Sequence, residues 1–91
     1  MNSFLKISDK DRSALVRALE LILEDEWDEA HEIAQEKEGD PAYDRVHALL
    51  HRIEGDEFNA NYWYRRVGVK LPNYSTEKET QELFDFLMDR S

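Results

Sequence analysis

Three histidines and one glutamate are the residues of this chain whose types and spacing are best suited to chemistry. His47 and His51 are four positions apart and Glu54 follows three further on, so on a helix all three side chains share one face. Two imidazoles and a carboxylate are a known ligand set for Zn or Fe in proteins. His31 lies on an earlier stretch, beside Trp27, and could supply a fourth group. The sequence thus contains one candidate metal or small-ligand site, built on His31, His47, His51 and Glu54.

A structural role for the same histidines is the interpretation that the sequence favours. Histidine pairs at this spacing often arise by chance, and no glutamate follows His47 as it does in the metalloprotease motif. In this interpretation the imidazoles hydrogen-bond within a helix interface or to solvent. A pH-sensing role is a further possibility beside the structural role and the metal site. We therefore predict no cofactor and keep Zn or Fe as the alternative.

Other chemistry has little support in the sequence. Acyl transfer needs a nucleophile beside a base, whereas the serines fall at the ends of the chain or at predicted helix caps. The three glycines are isolated from one another, so there is no glycine-rich loop to hold a phosphate. The sequence favours a protein without enzymatic activity and leaves the question open.

Five stretches place the candidate residues on helices. Apolar side chains recur at helical spacing in each stretch, and no segment alternates with period two for long. Residues with helix-capping side chains mark the starts: Ser8 with Asp11, Asp40 before Pro41, Asp56, and Thr76 with Glu79. In the third predicted helix, helical spacing places Tyr43, Val46, Leu50 and Ile53 on one face and Asp44, His47 and His51 on another. The predicted fold class is all-α, with about five helices in antiparallel hairpins and no strands.

Two turns in this series resemble each other at a fixed distance. Asp25 to Ala30 precedes Gly55 to Ala60 by 30 positions, and each segment has an acidic turn, an aromatic residue and an alanine. A period of this length is typical of stacked helical hairpins. The stretch from His51 to Arg66 also resembles a segment found in a group of short proteins, and that likeness implies no activity.

The arrangement resembles the tetratricopeptide repeat family, whose units of about 34 residues are pairs of antiparallel helices. Residues 41–73 match best, through Ala48, Gly55-Asp56, Ala60, Tyr64 and Pro72; residues 11–41 match through Ala18, Trp27, Ala30 and Pro41. The chain departs from the family at Asp44, His47 and His51, where apolar packing residues are expected. The resemblance implies one helical domain over residues 1–91: a hairpin at 8–40, a hairpin at 41–73 and a capping helix at 75–90, in a right-handed array.

The same resemblance implies a protein-binding module. In that family the first helix of each unit contributes to an inner face that holds an extended peptide. The matching positions expected to bind a peptide here are Arg12, Leu19, Arg45, Leu49 and Arg52. We therefore predict a protein partner or self-association as the function, with metal or small-ligand binding at the histidines as the alternative.

Composition limits the other classes of function. The chain has a formal net charge of -9, which disfavours binding to nucleic acid because phosphate backbones are repelled. It has no cysteine and hence no disulfide framework. No apolar stretch approaches the ~20 residues that span a bilayer, and Met1 to Lys6 lack the features of a signal peptide. We predict a cytoplasmic protein with no membrane contact.

The acidic strip Glu24–Glu29 provides solubility or attracts a basic partner.

Overall fold

A computed structural model describes residues 7–88 of the 91-residue chain. The described part forms five α-helices and no strand, which confirms the all-α prediction. No helix within it is long and apolar enough to cross a membrane. The predictions made for Met1 to Lys6 and for residues 89–90 lie outside the described residues. The helices are α1 (Asp9–Leu23), α2 (Trp27–Ala34, extended by the 3-10 turn Gln35–Lys37), α3 (Pro41–Ile53), α4 (Glu57–Arg66) and α5 (Thr76–Met88).

Three of the four predicted helix starts have the expected caps. The side chains of Ser8, Asp40 and Asp56 accept hydrogen bonds from the first backbone N–H groups of α1, α3 and α4. The fourth prediction, a cap by Thr76 with Glu79, is wrong. The hydroxyl of Ser75 accepts from the backbone N–H of Lys78 at 3.1 Å instead. Thr76 is the first residue of the helix, and the Glu79 side chain points away from the cap.

The two turns that resemble each other in sequence have the same backbone geometry. After α1, the N–H of Glu26 bonds to the carbonyl of Leu21 at 2.8 Å; after α3, the N–H of Asp56 bonds to the carbonyl of His51 at 2.9 Å. These bonds define a Schellman motif, in which the residue after the helix cap takes a left-handed conformation. That residue is Asp25 with φ 64° in the first turn and Gly55 with φ 87° in the second. The 30-residue period thus describes real structural equivalence between the turns.

Replacing Asp25 with glycine should stabilise the protein by about 0.5–1 kcal/mol, because glycine adopts positive φ without the strain that a Cβ causes. The reciprocal change, Gly55→Ala, should cost about 1 kcal/mol. No heavy atom lies within 4 Å of a Cβ built on Gly55, so its cost would be conformational and not steric. Urea unfolding of both variants checks the pair. If both substitutions changed the free energy of unfolding in the same direction and by the same amount, the two turns would not be structurally equivalent.

Helix α3 is the centre of the molecule, because it packs against each of the other four helices. Its buried residues therefore lie on nearly all sides: Ala42, Tyr43, Asp44, Val46, His47, Ala48, Leu49 and Leu50. The apolar side and the polar side that the sequence separates are both inside the fold. Ile53, on the same side as Tyr43, Val46 and Leu50 in the sequence pattern, is exposed at the end of the helix.

Helix α5 is held against α3 and α4 by a buried carboxylate. The side chain of Glu79 has no exposed surface. It accepts hydrogen bonds from the Tyr64 hydroxyl at 2.6 Å, from Arg52 at 2.8 Å and from Arg45 at 3.2 Å. Arg52 also donates to the backbone carbonyl of Tyr74, just before α5. Two cations and a phenol thus surround one anion, as a carboxylate out of water requires.

Candidate metal centre

The three histidines of the chain meet between α2 and α3. His31 lies in α2, and His47 and His51 lie one turn apart on the side of α3 that faces it. The Nε2 atoms of His31 and His47 are 3.1 Å apart. One ring nitrogen from each histidine can be chosen so that all three lie within 4.8 Å of one another. Of the four residues in the predicted site, the structure therefore brings the three imidazoles to one point.

Two tryptophans hold the orientation of these rings. Trp27 stacks on His31 with ring centroids 4.6 Å apart, and its Nε1 donates to the carbonyl of Leu50 at 2.8 Å. Trp63 stacks on His47 with centroids 4.1 Å apart and an interplanar angle of 19°. The two indoles thus limit the rotation of His31 and His47. The contact between Trp63 and His47 was not predicted, because spacing along one helix cannot reveal a partner on another.

Glu54 has a different place from the one predicted. Its Oε2 lies 2.7 Å from Nδ1 of His51. A carboxylate on the second nitrogen of a histidine fixes the tautomer and leaves Nε2 free to bind a metal. The structure therefore puts Glu54 behind His51 as an orienting group. His51, Glu54 and Asp56 also form a cluster within 4.8 Å, but the Asp56 carboxylate is engaged with both nitrogens of Asn59.

The spacing of the His31 and His47 nitrogens fits one shared metal ion. Two nitrogens bound at about 2.05 Å lie about 3.3 Å apart in tetrahedral geometry and about 2.9 Å apart at right angles. The observed separation of 3.1 Å lies between these values. His51 is half-buried, so its ring can adjust toward the same point more easily than that of the buried His47.

Burial favours the neutral form of the histidines. His47 is only 3% exposed, and this burial, together with the neighbouring His31 and His51, lowers its pKa from 6.5 to about 4. The pKa of His31 is also lowered, chiefly by burial and next by His51. Neutral imidazole is the form that binds metals. Nδ1 of His47 is buried with no hydrogen-bond partner among the described residues, which costs about 1–3 kcal/mol.

The metal-free protein should lose stability as the pH falls from about 6.5 to about 4. In this window the unfolded chain protonates His47, while the folded chain keeps it neutral until its pKa of about 4 is reached. A difference of this size corresponds to about 3 kcal/mol. Urea unfolding at a series of pH values, with a chelator present, measures it. The variant His47→Gln removes this contribution, so equal pH slopes in the two proteins would contradict the prediction.

The residues expected to bind a peptide are occupied inside the fold. Leu19 and Leu49 have no exposed surface. Arg45 and Arg52 bond to Glu79, and Arg12 donates to the backbone carbonyl of Leu87. All three arginines thus contact α5, which covers the face where the resemblance implies a peptide. The sequence predicted α5 as a cap but did not indicate which surface it would cover.

Comparison of this chain with protein-family models, curated proteins and solved structures gave no match. The likeness to the tetratricopeptide repeat family stays a prediction.

Proposed function

We propose that this protein binds one divalent transition-metal ion, Zn²⁺ in the first place, through His31, His47 and His51. The observation that carries the proposal is the convergence of three imidazole nitrogens from two helices within 4.8 Å. Metal binding was the alternative at the level of the sequence. It now becomes the first choice because the residues favoured for peptide binding are engaged with α5.

A hydrogen bond between the Nε2 atoms of His31 and His47 is the alternative explanation of their 3.1 Å separation. Such a bond uses His31 and His47 alone, whereas a ring nitrogen of His51 also lies within 4.8 Å of theirs. Three imidazoles held together also disfavour protonation of one another. A divalent cation bound to neutral rings gains ligands without that repulsion.

The donor set favours Zn²⁺ over Fe²⁺. The iron sites of non-haem oxygenases use two histidines and a carboxylate, whereas three histidines are a known zinc set. Glu54, the carboxylate that would complete an iron site, lies on Nδ1 of His51. In the proposed site it orients the His51 ring through this contact and does not touch the metal.

The metal content of the protein tests the proposal. We expect about one Zn²⁺ per chain by elemental analysis when the protein is purified without a histidine tag or chelator. Cu²⁺ added to the metal-free protein should quench most of the emission of Trp27 and Trp63, because both indoles stack on proposed ligands. Glu32→Ala, an exposed change next to His31, is the matched control and should bind normally. A metal-free preparation whose emission Cu²⁺ leaves unchanged would contradict the proposal.

Self-association through the outer face of α4 is a second candidate function. Phe58 is 86% exposed and Tyr62 is 51% exposed, and their spacing puts both on one side of the helix. The Arg66 guanidinium lies 5.8 Å from the centre of the Tyr62 ring. Aromatic residues beside arginine are favoured at interfaces. On a chain with net charge -9, another copy supplies acidic surface, such as Glu24–Glu29, to pair with Arg65 and Arg66.

Sedimentation equilibrium over a range of protein concentrations tests this second candidate. We expect a dimer that weakens in high salt and in the double variant Phe58→Ser, Tyr62→Ser. A monomer at every concentration, or a dimer that the double variant leaves unchanged, would contradict it.

A further inference from the structure

Three ligands are available at the histidine cluster, and residues 7–88 place no fourth group there. Within residues 7–88, the cluster that contains both His31 and His47 holds only His51 besides them. The chain has no cysteine that could complete the site. Glu54 lies 2.7 Å from Nδ1 of His51 and is not a member of this cluster.

Two other carboxylates, those of Asp44 in α3 and Asp56 just after it, are already engaged. Both oxygens of Asp44 accept from the backbone N–H of Gly39, at 3.1 and 3.2 Å, and one lies 4.0 Å from Nε of Arg66. Asp56 caps α4 and bonds to the Asn59 side chain. Moving either one to the cluster would break a helix cap or a turn. A metal held by the three imidazoles therefore keeps at least one coordination position that no group of residues 7–88 occupies.

The chemistry of the site selects the kind of group that fills this position. Structural zinc sites are closed by four protein ligands, whereas sites with three protein ligands take water or an exogenous ligand at the fourth position. Neutral imidazoles leave the full charge of a divalent ion uncompensated. An anion is therefore held more strongly than a neutral molecule of the same size.

The surroundings leave a path to this position from one side. His47 lies at the back of the cluster, where Trp63 stacks on it and only 3% of it is exposed. His31 and His51 are both partly exposed, and the Glu54 side chain behind His51 is 38% exposed. Solvent therefore reaches the cluster along the His31 and His51 side, between α2 and the end of α3.

We infer that the bound metal is an open centre, and that its free position takes a small anion with an oxygen or nitrogen donor, such as a carboxylate or azide. The inference rests on the proposed metal binding at the same three histidines. It makes the site one that recognises an anionic ligand, as opposed to a metal that only braces the fold.

Cobalt substitution tests this inference, because the visible spectrum of Co²⁺ reports its coordination. The metal-free protein is loaded with one equivalent of Co²⁺ and titrated with sodium azide and, separately, with sodium acetate. We expect the Co²⁺ bands to shift and to saturate with each anion. They should stay unchanged when sodium perchlorate, whose anion coordinates metals very weakly, is added to the same ionic strength. Free Co²⁺ with azide gives the reference spectrum.

The outcomes separate the inference from the proposed function. Bands that form on loading but do not respond to either anion would overturn the open position and leave metal binding intact. No protein-dependent bands at all would overturn both. Glu54→Gln supplies the second variant: it should weaken Co²⁺ binding by about 10–100-fold through loss of ring orientation, yet retain the azide shift at saturating Co²⁺. Loss of the shift with the Co²⁺ still bound would show that Glu54 itself controls the open position, against the inference.

Discussion

Replacing His47 with alanine should lower the affinity for Zn²⁺ by at least about 100-fold, or about 2.7 kcal/mol. His47 is the central ring of the cluster, with His31 on one side at a nitrogen separation of 3.1 Å and His51 one turn along α3. Its loss removes one of three proposed ligands, a larger change than loss of an orienting group, which costs 10–100-fold. Competition with a chromophoric chelator measures the affinity.

Two further variants keep this prediction separate from unfolding. His47→Ala also opens a space beside Trp63, so its fold must be checked by far-ultraviolet circular dichroism before the affinity is compared. His51→Ala changes a half-buried ring and should lose affinity to a similar degree with less structural damage. Glu32→Ala should bind as the unchanged protein does. Equal Zn²⁺ affinity in the two histidine variants and this control would rule out the assigned ligands.

The Glu79→Gln variant should be less stable by about 3–5 kcal/mol. Glutamine keeps the size of the side chain but removes the charge that Arg45 and Arg52 face, and these two side chains are only 17% and 14% exposed. Breaking a buried ion pair costs this much because the remaining charges stay out of water without a partner. The loss is a large share of the 5–15 kcal/mol that holds a typical domain together. Urea unfolding at neutral pH measures it.

Glu82→Gln is the matched control for this variant, since Glu82 lies in the same helix and accepts a hydrogen bond from the Tyr74 hydroxyl at 2.6 Å. That bond is exposed, so its contribution should not exceed about 1 kcal/mol. If both variants unfold at the same urea concentration, the hydrogen bonds and ion pairs of Glu79 do not hold α5 against α3. Another interaction would then have to explain why α5 packs there.

Local rules were sufficient to predict the helices. Capping side chains at Ser8, Asp40 and Asp56 and the glycine at Gly55 act within one turn of the chain, so the sequence predicts them directly. Thr76 with Glu79 shows where local rules fail. The spacing is that of a capping box, but the adjacent Ser75 caps equally well, and the buried ion cluster decides the place of Glu79.

The candidate site was predicted in its residue types but not in its geometry. Helical spacing put His47, His51 and Glu54 on one face, whereas the contact between His31 and His47 depends on how α2 packs against α3. The contact of Glu54 with Nδ1 of His51 was not predicted either, because a carboxylate one turn after a histidine can reach that nitrogen or turn away from it. Contacts between side chains of different helices depend on how the helices pack, and the spacing of residues along one helix does not predict that packing.

The buried polar side of α3 links the fold to the proposed site. His47 and Asp44 are buried polar residues in the central helix, where apolar side chains would be expected. Burying them stabilises the fold less than burying apolar side chains would. Asp44 has the Gly39 backbone as a partner, and burial raises the pKa of its carboxyl group. His47 has one nitrogen near His31 and the other without a partner in the described residues. A bound metal ion would give this otherwise costly arrangement a function.

Histidine ring ¹⁵N chemical shifts during titration with Zn²⁺ test the metal site most directly, because the chain contains only three histidines. The proposed site predicts that one ring nitrogen of each histidine shifts, that the three shifts move together, and that all are complete at one equivalent of Zn²⁺. Shifts confined to His51, or no change in His31 and His47 after several equivalents, would contradict a shared site and leave the cluster as packing between α2 and α3.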